Sequence, residues 1–282
     1  MVYINSEYLP QSQACVSVLD RGFLFGDGVY EVIPVFGGKP LRLNEHLDRL
    51  QRSMDRVSLS NPLSRDQWKE VFSLLLEKNP GADRSIYLQV TRGAAPVRDL
   101  SVEADIDPTV FVMVNDIKPV DYARLENGIE AITVDDFRWK ACDIKSVSLI
   151  ANVMIRLQAN AKSVMDAVMV RDGLVTEGTA SNIFVVQNGV ISTPPKSDCL
   201  LPGITRDLVI DLARANNFVV EERDIRQSEL QTADEIWLTS STREIAPVVK
   251  LDNRPVGDGV AGEYWRKLIG IYQDYKQELR HG

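Results

Sequence analysis

Two dipeptides do most to decide what this chain can fold into. Asp172-Gly173 and Asn188-Gly189 fall between β-prone runs, and each offers two residues that tolerate the left-handed backbone of a tight hairpin. They predict antiparallel strands joined directly. Glu130–Val134, Ile183–Val186 and Ile236–Leu238 add further β-like segments. Helices are expected from Ser146 to about Lys162, with Leu149, Val153 and Leu157 along one side, and at about Thr205–Asn216 and Gly262–Leu279. Many short strands with a few helices predict an α+β or barrel-like domain.

The earlier part of the chain reads differently. Val29–Phe36 is β-rich and ends at Gly37-Gly38, another hairpin signal. Asn44 is expected to cap a helix on which Leu43, Leu47, Leu50, Met54 and Val57 recur at steps of four and three, giving one apolar face. Trp68–Lys78 reads as a second helix, ended near Asn79-Pro80-Gly81, and Ser85–Thr91 and Thr109–Val114 read as strands. The expected organisation is an α/β N-terminal domain over 1–116, a linker over 117–122 and a larger C-terminal domain over 123–282, α+β overall.

Composition narrows the function. The chain has 282 residues, 44% apolar and 26% charged, with a net charge of −8. It is long enough to bury a core without staples. An acidic balance argues against a general nucleic-acid partner, because phosphate backbones need a basic face. Cys15, Cys142 and Cys199 are odd in number and widely spaced, so neither a disulfide framework nor a zinc site is expected. His46 and His281 are too few for a histidine metal cluster, and no metal is expected. Met1–Glu7 has no basic region followed by an apolar run. No secretory signal and no membrane partner are therefore expected, and a cytoplasmic location is.

Several residues could carry chemistry together. Lys145, in Cys142-Asp143-Ile144-Lys145-Ser146, is placed just before an expected helix, where a cation is slightly out of place. A lysine amine can hold an aldehyde cofactor as a Schiff base, and a carboxylate such as Glu177 can keep a pyridine nitrogen protonated. Gly203-Ile204-Thr205 opens a helix, so its backbone N–H groups and the Thr205 hydroxyl could hold an anion. Thr239-Ser240-Ser241-Thr242 offers four consecutive hydroxyls, and Arg49 a fixed positive charge. Each also has an ordinary reading: a solvated lysine, a surface glutamate, a capped helix, a polar turn, an ion pair of Arg49 with Asp48 or Asp55.

As an ordered set, these segments resemble the class IV aminotransferases of pyridoxal phosphate fold type IV. Asp20-Arg21-Gly22-Phe23-Leu24-Phe25-Gly26-Asp27-Gly28-Val29-Tyr30-Glu31 is similar to the family's first block, and Asn44–Leu50 to its phosphate-arginine helix. Asp143-Ile144-Lys145-Ser146 resembles the Schiff-base segment of the D-amino-acid enzymes, and Thr176-Glu177-Gly178, Gly203–Asp207 and Glu244–Val248 complete the set. The resemblance implies two domains, the second a pseudo-barrel, with pyridoxal 5'-phosphate in a cleft between them, and a homodimer. It implies Lys145 as Schiff-base lysine and proton shuttle, and Glu177 at the ring nitrogen. It implies Arg49, Ile204, Thr205, Ser240 and Ser241 at the phosphate, with Leu201 against the ring. Tyr30 and Thr242 are expected near the substrate.

The implied reaction is transamination of amino acids, D-alanine type, with 2-oxoglutarate. A branched-chain L-amino-acid aminotransferase is the alternative, ahead of an aminodeoxychorismate lyase or an (R)-amine transaminase. The departure lies in Arg92–Leu100. There the D-amino-acid enzymes carry arginine, any residue, then histidine on a loop from the partner subunit. Here Arg98 is shifted by one position and the histidine is replaced. Arg98 and Arg243 are the expected candidates for the substrate carboxylate, since a guanidinium matches a carboxylate with two parallel bonds.

Overall fold

The computed structural model describes residues 1–102, 106–118 and 120–281. They form two compact units. One comprises Met1–Lys118, Ile144–Leu149 and Leu279–Gly282, the other Pro119–Asp143 and Ile150–Glu278.

The first unit is built from β1 (Val2–Ile4), β2 (Glu7–Leu9), α1 (Arg21–Phe25), β3 (Gly28–Phe36), β4 (Lys39–Pro40), α2 (Leu43–Arg56), α3 (Arg65–Lys78), β5 (Asp83–Thr91) and β6 (Thr109–Asp116). Its six strands pair in the order β2-β1-β6-β5-β3-β4, all antiparallel. Alternation on β3 places Val29, Glu31, Ile33 and Val35 on one face, and all four are buried. α2 covers this face with Leu47, Leu50 and Met54. The helix begins at Leu43, but Asn44 is not its cap. Arg42 takes that position in a left-handed conformation, and the Asn44 side chain accepts a bond from Arg65 instead. α3 starts before Trp68 because Ser64 and Gln67 close a capping box.

Two features of this unit bear on the site. Ser146 and Val147, expected to open a helix, run with Lys145 as an extended edge beside β3. Tyr30 N–H donates to the Lys145 carbonyl at 2.9 Å and Val147 N–H to the Gly28 carbonyl at 3.0 Å. These ladder bonds hold the segment in the first unit, not with the 123–282 region, and the helix starts only at Ile150. Secondly, buried Arg21 grips the 99–101 loop. Its guanidinium donates to the carbonyls of Asp99 (2.6 Å), Leu100 (3.1 Å) and Ser101 (3.2 Å) while Nε pairs with Asp27. Asp27 also takes two bonds from Arg92.

The second unit contains α4 (Tyr122–Glu126), β7 (Ile129–Asp135), α5 (Ile150–Ala161), β8 (Asp166–Arg171), β9 (Leu174–Gly178), β10 (Asn182–Gln187), β11 (Val190–Thr193), α6 (Ile204–Ala215), β12 (Val219–Glu222), β13 (Glu235–Ser240), β14 (Glu244–Leu251), β15 (Arg254–Pro255) and α7 (Glu263–His281). Its strands run β12-β11-β10-β13-β14-β7-β8-β9, with β15 on β14. Gly178 and Ser181 form a bridge, with a 2.6 Å N–H···O bond, where β9 turns back into β10. The sheet therefore curls into a barrel around Val168, Val175, Ile183, Val185, Ile236, Leu238 and Val248. Both expected hairpins form, with φ positive at Asp172, Gly173, Asn188 and Gly189. Parallel pairs β7·β8 and β11·β12 are reached through α5 and α6.

The apolar face expected for α5 lies elsewhere. Ile155 and Ala159 pack against Ala167 and Met169, whereas Leu149, Val153 and Leu157 are exposed by 38%, 50% and 59%. Among the described residues no helix is long and apolar enough to cross a membrane.

α7 is fastened by two buried carboxylates. Glu235 accepts from the Tyr264 and Trp265 N–H groups at its start, a favourable place for an anion. Glu244, the first residue of β14, pairs with buried Lys276 and accepts from Tyr122 Oη and Gln273. Lys276→Met would strand the Glu244 charge. It should cost about 3–5 kcal/mol of unfolding free energy in urea denaturation, and Lys276→Met with Glu244→Gln should recover most of that loss.

Candidate active site

In the first unit, Lys145 lies half-buried with its Nζ 4.0 Å from the centroid of the Tyr30 ring. Its backbone is fixed twice, by the β3 edge and by its N–H donating to Ser53 Oγ on α2 at 3.2 Å. Among the described residues no carboxylate forms an ion pair with its amine, which sits instead on an aromatic face. Tyr30 itself stacks on Tyr87.

On the opposite face of β3, Arg49 is buried and clamped by Glu31. Nε meets Oε1 at 2.7 Å and Nη2 meets Oε2 at 2.8 Å. Glu31, rather than Asp48 or Asp55, takes this guanidinium. Asp48 accepts from Arg65, and Asp55 from Gln51. His46 Nδ1 lies 2.8 Å from Glu31 Oε2. Burial alone would raise the Glu31 carboxyl, but the charges and bonds of Arg49 and His46 hold it far below the usual carboxylate range. Burial pushes the His46 imidazole down despite Glu31, and the Arg49 and Lys145 charges push it further. The imidazole thus resists taking up a proton, with Nδ1 held within hydrogen-bond distance of Glu31. Glu31 carried no distinguishing signal in the sequence beyond its place beside Tyr30.

Arg98 is exposed, its guanidinium 4.9 Å from the centroid of the Phe25 ring. Its loop is the one held by Arg21.

In the second unit, Glu177 is the penultimate residue of β9 and is buried rather than a surface residue. Oε1 accepts from Arg138 Nη1 at 2.5 Å, and Oε2 accepts from Leu201 N–H at 3.0 Å and from Asn182 Nδ2 at 3.3 Å. Burial raises its carboxyl above the usual value, and the charge and bond of Arg138 only partly offset this. Asn182 also donates to the Leu201 carbonyl at 2.8 Å, so Glu177, Asn182 and Leu201 form one bonded group. Arg138 and Asn182 escaped sequence reasoning. Arg138-Trp139-Lys140 reads as an ordinary charged loop, and its buried partners are distant in sequence.

α6 begins at Ile204 with Gly203 as its cap and no side-chain cap bond. The first N–H groups of a helix lack intrahelical partners. A Cβ at Gly203 would meet Asn182 Oδ1 at 1.9 Å, so only glycine lets this helix start so close to the Glu177 group. Ile204 and Thr205 are both buried. β13 ends at Ser240, whose Oγ accepts from Arg243 N–H at 3.3 Å. Ser241 is half-buried and Thr242 exposed. The Thr239 and Ser181 hydroxyls are buried with no hydrogen-bond partner, an arrangement that costs free energy unless something else supplies the bond. Arg243 Nη1 pairs with buried Asp166 at 2.6 Å.

Residues 28–251 match the sequence profile of the amino-transferase class IV family. The chain belongs to this family. Among curated class IV relatives it is 40% identical to the D-alanine aminotransferase of Bacillus licheniformis, over 97% of this chain and 96% of that one. It is 35% identical to the D-alanine aminotransferase of Staphylococcus aureus (strain COL), over 97% of each. A class IV fold is also seen in a T.th. branched-chain amino acid aminotransferase solved with pyridoxamine 5'-phosphate. That structure aligns with a TM-score of 0.93 at 26% identity, covering 99% of this chain and 94% of the other.

Buried His46 sets an acid sensitivity. Its folded pKa lies below the unfolded value, so the unfolded chain binds a proton that the folded chain refuses. Stability should therefore fall as pH drops below about 6.5. The same sign holds for Glu31, whose contribution is full above the unfolded carboxylate pKa and is lost at more acidic pH. Urea denaturation at pH 8, 6 and 5 should show a smaller loss in His46→Gln than in wild type between pH 8 and 5.

Proposed function

We propose that this chain is a pyridoxal-phosphate aminotransferase that moves the amino group of D-amino acids, D-alanine type, to 2-oxoglutarate. The observation that carries the reading is the end-to-end similarity to D-alanine aminotransferases at 35–40% identity. The branched-chain enzyme shares the fold at lower identity.

The residues fit the cofactor. Lys145, whose amine pairs with no carboxylate among the described residues, can bond the aldehyde carbon. Glu177 is buried and oriented by three donors, as a partner for a ring nitrogen must be. The uncapped start of α6 at Ile204 and Thr205, with Ser240 and Ser241, suits a phosphate, and the orphaned Thr239 hydroxyl adds a buried donor. Leu201 supplies an apolar side chain beside the Glu177 bond. When bound, the cofactor supplies an electron sink for the substrate α-carbon.

The chain's own groups do the rest. Lys145 Nζ takes the proton from the substrate α-carbon and delivers it to the carbon that receives the amino group. The Tyr30 ring holds Nζ to one direction. Of the two expected carboxylate clamps, Arg98 is the stronger, because Arg243 is already held by Asp166. Tyr30, over whose ring the Lys145 amine lies, is a substrate residue in this reading. A cytoplasmic homodimer is part of it too, and the exposed Ile150, Val153, Met154 and Leu157 on α5 support a partner subunit on that helix.

A substrate panel tests the reading. D-alanine, L-leucine, L-isoleucine and (R)-1-phenylethylamine are each offered with 2-oxoglutarate, and 2-oxo acid formation is followed. D-alanine should react fastest, and a faster L-leucine reaction would reject the D-specific assignment. Lys145→Ala should lower kcat by about 10²- to 10⁴-fold or more and abolish borohydride fixation of the cofactor.

A further inference from the structure

The second unit holds a charge system behind Glu177 that the reaction as described does not use. Asp136 and Arg138 follow β7, Arg171 ends β8, and Thr176 and Glu177 lie on β9. Arg138 meets Asp136 twice, Nε to Oδ1 at 2.8 Å and Nη2 to Oδ2 at 2.9 Å, and its Nη2 also donates to the Cys199 carbonyl at 3.2 Å. That leaves Nη1 aimed at Glu177 Oε1, 2.5 Å away. Asp136 is anchored in turn by Arg171 Nη2 at 3.0 Å and by the Thr176 hydroxyl at 2.9 Å. The guanidinium of Arg138 is thus bonded on every side and cannot turn away from Glu177.

We propose that Arg138 is a positioning residue for the cofactor: through its bond to Oε1 it keeps the Glu177 carboxylate ionised and aimed, so that the carboxylate can hold the ring nitrogen protonated. The inference rests on the assignment of Glu177 to that nitrogen. A carboxylate buried this deeply tends to take a proton. If Glu177 did so, it would face the ring as a neutral acid, and the ring nitrogen would lose the charge that makes it an electron sink. Of the groups around Glu177, Leu201 N–H and the Asn182 amide are neutral donors, and Asp136 repels the charged form. The Cys142 thiol is pushed up by burial and stays neutral. Arg171 reaches Asp136 and so acts on Asp136 first. Arg138 is the full positive charge in direct contact. Asp136, held below its usual range by the two arginines and Thr176 in spite of burial, gives Arg138 its fixed seat.

The test loads the enzyme with cofactor labelled with ¹⁵N at the ring nitrogen and reads the ¹⁵N resonance together with kcat and KM. In wild type the resonance should be that of a pyridinium. In Arg138→Gln it should move toward neutral pyridine, and kcat should fall about tenfold or more, the weight of one pKa unit, with KM changing less. Arg138→Lys keeps the charge and should keep the pyridinium resonance. A folded, cofactor-loaded Arg138→Gln with the wild-type resonance would overturn the proposal. If Arg138→Gln does not fold, Asp136→Asn/Arg138→Gln removes the opposite charges together and is read by the same resonance. Glu177→Gln separates the two levels. An unmoved resonance in that variant rejects Glu177 as the ring partner, whereas a shift there without one in Arg138→Gln rejects the role of Arg138 alone.

Discussion

A carboxylate without water around it, Glu177, dictates how the second unit is arranged. Stripping solvent from a charge costs several kcal/mol unless bonds replace it. Three donors come from three places in the chain: Arg138 after β7, Asn182 at the start of β10, and the Leu201 N–H before α6. The curled sheet is what makes that convergence possible, because the Gly178–Ser181 bridge sets β9 beside β10. Gly203 then lets α6 begin against Asn182 without a side chain in the way. The first unit solves the same problem with Glu31, which Arg49 and His46 satisfy from two successive turns of α2. In each unit a buried acid fixes the direction of an arginine, and the arginine is held more firmly than its own flexible stem would allow.

Much of this was legible where the cause is local. The Asp172-Gly173 and Asn188-Gly189 hairpins depend on two residues each, and those residues announce themselves. α2 and α6 follow from apolar spacing. What failed was decided by partners far along the chain. Residues 145–147 carry no strand pattern of their own, and β3 makes them extended. Periodicity shows that α5 is a helix, but not which of its apolar stripes its own sheet covers, and here Ile155 and Ala159 are inside while Val153 and Leu157 face out. Arg138 and Glu31 look like surface charges because burial of a charge leaves no mark in local sequence. Asn44 has the right chemistry for a cap, yet the turn after β4 brings Arg42 to that position.

The Arg21 clamp has a consequence for how this chain can diverge. Its guanidinium grips the carbonyls of Asp99, Leu100 and Ser101, and every amino acid supplies a carbonyl. Those three bonds are therefore insulated from the identity of the side chains along the loop, whose Asp99 carboxylate adds one bond of its own from the Ser101 N–H at 2.8 Å. Replacements at Leu100 and Ser101 can accumulate without unfastening the Arg21 bonds, so what the loop presents can change while the scaffold beneath stays still. Replacing Arg21 would remove that freedom at a stroke, since each later change would then have to rebuild the loop as well as alter what it presents.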